Sequence, residues 1–200
     1  MEHLGRTKSV LYSEGRSLLA VFCRVNDLTV PGVVESSTPT QFGVCAYYRA
    51  GVISVHVAGC AAIGRYGAQW SYPGYVIDRT PYGVIQHELG HHVDVLLGKQ
   101  KQSYHSEFST SLRARSREAA LTNYCPNDAE WFAEMFRLFV TNPDLLIRLR
   151  PRTYDALCRV GLRPCVIGVG WREILAQAPA RTIQQTERKI STARTRSGRR

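Results

Sequence analysis

His87, Glu88 and His91 stand together in the segment His87-Glu88-Leu89-Gly90-His91. Residues four apart on an α-helix lie one turn above each other. Both imidazoles can therefore point a nitrogen at one cation. Glu88 projects beside that face, close enough to take a proton from a water on the cation. Zinc suits such ligands, because its sites are built from histidine nitrogens and carboxylate oxygens. At this composition the pattern arises by chance about once in a hundred sequences. The competing reading is an ordinary amphipathic helix with two hydrogen-bonded histidines.

A catalytic zinc takes three protein ligands and keeps a position for water. The extended metzincin pattern needs a glycine and then a third histidine after His91, but Asp94 and Leu97 stand at those places. Leu97 cannot bind a metal, which excludes that class. A later helix supplies carboxylates instead, in Asp128-Ala129-Glu130-Trp131-Phe132-Ala133-Glu134. Glu130 and Glu134 share a face, so one can bind the ion while the other accepts a hydrogen bond from a ligand histidine. We assign Glu130 as ligand and Glu134 as the carboxylate behind it, with the reverse as the alternative. Two acids kept among Trp131, Phe132, Met135, Phe136, Leu138 and Phe139 call for a partner, and a cation is the simplest. Asp128 is the weaker ligand candidate, since a carboxylate at a helix N-terminus needs no metal. Asp94, one turn after His91, either orients a ligand or is solvated.

HELGHHVD, followed some forty residues later by NDAEWFAEMFRLF, resembles the gluzincin metallopeptidases. Among these it is most similar to the anthrax lethal-factor-type catalytic domain and to small metallopeptidases of bacteria and their phages; NPDLL and RPRTYDAL are similar to the latter group. The resemblance covers roughly residues 75–160. It implies hydrolysis of a protein or peptide through one zinc ion (Zn2+), with Glu88 as general base and then proton donor. It also implies an oxyanion-stabilising tyrosine shortly before the glutamate helix. Tyr124 stands there, with loop packing as its bland role and Tyr104 and His105 as lesser candidates. An edge strand would pair with substrate backbone, from Gly51–Ala58 or the segment near Tyr75.

The elements that must position these residues can be read along the chain. Thr80-Pro81 is a strong helix start, a hydroxyl cap followed by proline in the first turn. That helix should reach about Leu97, with Gly98 at its end. Further helices are expected within Glu107–Leu121, from Asn127-Asp128 to about Val140, at Asp144–Leu149 and at Thr153–Val160. Gln41–Arg49 and Gly51–Ala58 read as an antiparallel hairpin. Leu18–Val25 is either a helix end or a first strand, Pro31–Thr40 a loop, and Tyr75–Asp78 a short strand. Glycine-rich Gly59–Gly74 is a loop that could cover the site. His56 reads as a packed or surface histidine and His92 as an exposed one.

The expected fold is α+β and zincin-like: a small N-terminal antiparallel sheet, the active-site helix and a C-terminal helical subdomain. One domain would span 1–176, β-rich to about 78 and helical over 79–176, with a basic flexible tail over 177–200. With 44% hydrophobic residues, the 200-residue chain can bury an ordinary core. The formal charge of +10 is concentrated in residues 181–200, where six arginines and Lys189 face one acid, Glu187. Nucleic-acid binding through that tail is an alternative to simple solvation. So is a zinc-stabilised, non-proteolytic phage or toxin-like interaction module. Neither a secretory start nor a membrane-length apolar run is evident, which points to a cytoplasmic or phage-associated protein. The six cysteines have no CxxC spacing and are expected to be reduced and mostly buried.

Overall fold

The computed structural model describes residues 6–38, 44–64, 71–98 and 107–165. Tyr104, His105, the tail over 177–200 and residues 65–70 of the glycine-rich loop lie outside them. The fold is α+β. Helix α1 (Lys8–Val25) leads into strand β1 (Gly32–Glu35), then β2 (Ala46–Arg49), β3 (Val52–Val55) and a 3-10 turn, Val57–Gly59. Helices α2 (Pro81–Gly98), α3 (Glu107–Ser116), α4 (Asp128–Thr141), α5 (Pro143–Leu149) and α6 (Pro151–Arg159) follow. No helix among the described residues is long and apolar enough to cross a membrane.

Ahead of α2, the open reading of Leu18–Val25 resolves to a helix end, and three expectations are corrected. Leu18–Val25 closes an 18-residue helix, whose Leu11, Leu19 and Phe22 face the core at helical spacing. The sheet is mixed, in the order β1-β3-β2, because β1 lies parallel to β3 while β2 pairs with it antiparallel. Strand β1 falls within Pro31–Thr40, where Val33 and Val34 supply β-branched residues that the surrounding Pro, Ser and Thr obscure. Tyr75–Asp78 forms bends and no strand. Its Tyr75 and Val76 carbonyls accept hydrogen bonds from the Arg137 guanidinium, at 2.8 and 2.7 Å, where a strand would need a neighbouring backbone.

Asp78 explains both that turn and the start of α2. Its carboxylate accepts the Gly74 N–H at 3.1 Å, the Thr80 N–H at 3.0 Å and the Thr80 hydroxyl at 2.6 Å. Thr80 Oγ1 in turn accepts the Gly83 N–H at 3.3 Å. Gly83 leaves room for this arrangement, since a Cβ there would lie 2.2 Å from Asp78 Cγ. Burial pushes the Asp78 carboxyl up from 3.8 to about 6, against the lowering effect of Arg137 and these hydrogen bonds. Its favourable contribution is thus full below pH 3.8 and lost as pH rises through 6. Above that, its charge costs about 3 kcal/mol. Asp78→Asn should therefore gain about that much stability relative to wild type between pH 4 and pH 7. Denaturant unfolding at the two pH values measures it, and a pH-independent difference would contradict it.

Helices α2 and α4 form the centre. On α4 every residue from Trp131 to Thr141 is buried, which makes it a helix enclosed on all sides. Asn127 caps it, its Oδ1 accepting the Glu130 N–H at 2.9 Å. Phe22 of α1 meets Phe136 edge-on at 5.3 Å. Helices α2 and α4 approach tightly at Gly90, where a Cβ would lie 2.8 Å from Ala133 Cα. Gly90→Ala should cost a net of about 1–2 kcal/mol in denaturant unfolding, even though alanine is the better helix former. A neutral or stabilising result would show that the helices can part freely.

All six cysteines are free thiols, but only Cys23 and Cys60 are buried. Cys45, Cys125 and Cys165 are half-buried and Cys158 is exposed, fewer buried than composition suggested.

Candidate metal centre

Helices α2 and α4 bring His87, His91 and Glu130 together, with one ligand atom from each lying within 4.8 Å of the others. The His87 Nε2–Glu130 Oε2 distance is 3.0 Å and the His91 Nε2–Glu130 Oε2 distance 3.6 Å. Ligands about 2.0–2.1 Å from a tetrahedral zinc stand about 3.3 Å apart, and the two measured distances straddle that value. This His87–His91–Glu130 group could hold a metal ion. Its two imidazoles and one carboxylate are the donor set of a site that leaves a fourth position open.

Glu134 stands behind the ligands. Its Oε1 accepts the His87 Nδ1–H at 2.9 Å, which leaves Nε2 aimed at the centre. Its Oε2 accepts the Thr122 hydroxyl at 3.1 Å, and Arg137 Nε and Nη2 donate to the two oxygens at 3.1 Å each. Burial pushes both carboxyls up, but it is outweighed. Hydrogen bonds and charge from His87 and His91 bring Glu130 down to about 2. Arg137 and His87 hold Glu134 well below the carboxylate range. Conversely, burial lowers His87, yet Glu130 and Glu134 together lift it to about 10. The centre is thus built to hold positive charge.

Glu88 is 7% exposed and accepts a hydrogen bond from the Tyr48 backbone. Burial raises its proton affinity above that of an ordinary glutamate, opposed by His87 and His91. The Tyr124 ring lies 5.7 Å from the His87 ring and is 47% exposed. Partial burial, with Glu130, Glu88 and Glu134 nearby, pushes the phenol up to about 12.

Several residues take places the sequence did not suggest. Arg137, 1% exposed, ties Glu134 to the bend over 75–78. It stands three residues after Glu134 on an apolar helix, where a cation needs a partner as much as the two acids do. His92 is buried. Its Nε2–H donates to Thr29 O at 2.8 Å, and its Nδ1 accepts the Tyr48 hydroxyl at 3.1 Å. It points away from the centre because it pins the sheet to α2. Asp94 is fully buried and accepts the Ser109 N–H of α3 at 3.1 Å, so solvation does not account for it. Asp128 pairs with Arg113 at 2.7 Å, outside the cluster. His56 is half-buried, its Nδ1 donating to Ser36 O at 3.1 Å. Gly51–Ala58 holds the central strand, paired on both sides, so among the described residues the free edge nearest the site belongs to β2.

Comparison with protein-family models, curated proteins and solved structures finds no match to this chain.

Proposed function

We propose that this chain is a zinc-dependent peptidase of the gluzincin type, with one zinc ion held by His87, His91 and Glu130. The observation that carries the reading is the convergence of two imidazole Nε2 atoms and a glutamate oxygen, with Glu88 and Tyr124 beside them. Zinc, when bound, acidifies a water and polarises the carbonyl under attack.

The remaining work falls to the chain's own groups. Glu88 takes the proton of the attacking water and delivers it to the departing amine. Its burial favours this, because it moves the carboxyl toward the working pH. Tyr124 keeps its proton and donates a hydrogen bond to the oxygen that gains charge. Glu134, charged by Arg137, holds the His87 ring in one orientation.

Strand β2 offers the substrate a template. Tyr47 and Arg49 exchange backbone bonds with β3, so Ala46 and Tyr48 turn their backbone groups to the edge that is unpaired among the described residues. Tyr48 meets Glu88 there. An extended peptide pairing with this edge would lie across the metal site. Cleavage of a denatured protein substrate by the zinc-loaded chain, abolished in Glu88→Gln, tests the proposal. A protein that binds zinc and unfolds on its removal, yet cleaves nothing, would instead be a zinc-stabilised interaction module.

A further inference from the structure

Cys45, just before β2, and Cys60, just after the 3-10 turn, are neighbouring thiols, and Cys45 is the strongest influence on the Cys60 thiol. Cys60 Sγ lies 3.9 Å from Cys45 O and 3.6 Å from His56 O. The His56 N–H donates to Cys45 O at 2.7 Å, so the backbone already holds the two segments side by side. Cys60 is 4% exposed, whereas Cys45 is half-buried. The Lys8 ammonium, fixed by Ala58 O at 2.7 Å, and the buried Asp78 carboxyl are the charged groups acting on the pair.

We propose that Cys45 and Cys60 are a redox pair that closes to an intrachain disulfide when the protein meets a small-molecule disulfide. The neighbouring Cys45 thiol and burial hold the Cys60 thiol well above its usual range, so the more accessible Cys45 reacts first. With glutathione disulfide as oxidant, the Cys45 thiolate attacks one sulfur and expels a glutathione thiolate, which takes up the proton Cys45 lost. The Cys60 thiolate then attacks Cys45 Sγ in the mixed disulfide and expels the second glutathione in the same way. Two protein thiols are oxidised, and one glutathione disulfide becomes two glutathiones. The bond would fasten the start of β2, the strand whose Tyr48 meets Glu88. The pair stands on its own geometry and does not depend on the peptidase reading.

Trypsin separates the two cysteines at Arg49, giving a peptide over 25–49 that contains only Cys45 and one over 50–65 that contains only Cys60. The full chain, treated with glutathione disulfide, alkylated and digested without reduction, should yield these two peptides joined and lighter than their sum by two hydrogens. Dithiothreitol should part them. Cys45→Ala and Cys60→Ala should each abolish the joined species, so failure of one variant to fold leaves the other as control. Recovery of both peptides alkylated, under conditions where exposed Cys158 is glutathionylated, would overturn the proposal. So would a link from either cysteine to Cys23, Cys125, Cys158 or Cys165.

Discussion

Glu88→Gln is expected to lower peptide hydrolysis by about 10²–10⁴-fold while leaving the fold and the bound metal in place. The glutamine is isosteric, and its oxygen can still accept the hydrogen bond that the Tyr48 backbone gives Glu88. Neither His87 nor His91 uses Glu88 as a hydrogen-bond partner, since His87 Nδ1 is taken by Glu134 and both Nε2 atoms face Glu130. The substitution therefore removes the proton acceptor alone. Initial rates on a denatured protein or a quenched fluorescent peptide, with metal content and melting temperature measured on the same samples, check it. Undiminished cleavage with metal retained would remove Glu88 from the chemistry.

Arg137→Leu is expected to destabilise the fold by about 3–5 kcal/mol, because it strands a buried charge. Arg137 is 1% exposed, and Glu134, the charge it would abandon, is 8% exposed. The Tyr75 and Val76 carbonyls would lose their donors as well. With Glu134 no longer held, His87 loses the acceptor that orients it, and zinc affinity should fall by about 10–100-fold. Denaturant unfolding of the metal-free protein and competition with a chromophoric chelator measure the two effects. The double variant Arg137→Leu/Glu134→Gln should recover part of the stability, because the unpaired charge is gone, but not the affinity. A single variant as stable as wild type would show that the guanidinium is not needed where it lies.

The central helices were legible in the sequence because their signals are local. Thr80-Pro81 and Asn127 fix two helix starts, and four-residue spacing then aligns His87 with His91 and Glu130 with Glu134. What was hidden is non-local. Arg137 reads as a stray charge until the bend over 75–78 is folded against it. The parallel pairing of β1 with β3 has no turn signal, since it joins segments separated by another strand. His92, adjacent to His91, reads as exposed because its partners Thr29 and Tyr48 are more than forty residues away. In the sequence Tyr48 is one aromatic among others in a strand, although its backbone meets Glu88 and its hydroxyl meets His92.

Zinc content per chain tests the central claim most directly. After equilibration with zinc and removal of the excess, elemental analysis should find about one ion per chain in wild type and in Glu88→Gln. His91→Ala and Glu130→Ala, which each remove a member of the cluster, should retain little or none. Wild-type protein without stoichiometric zinc, or variants that hold a full equivalent, would contradict the assignment of His87, His91 and Glu130 as a metal centre.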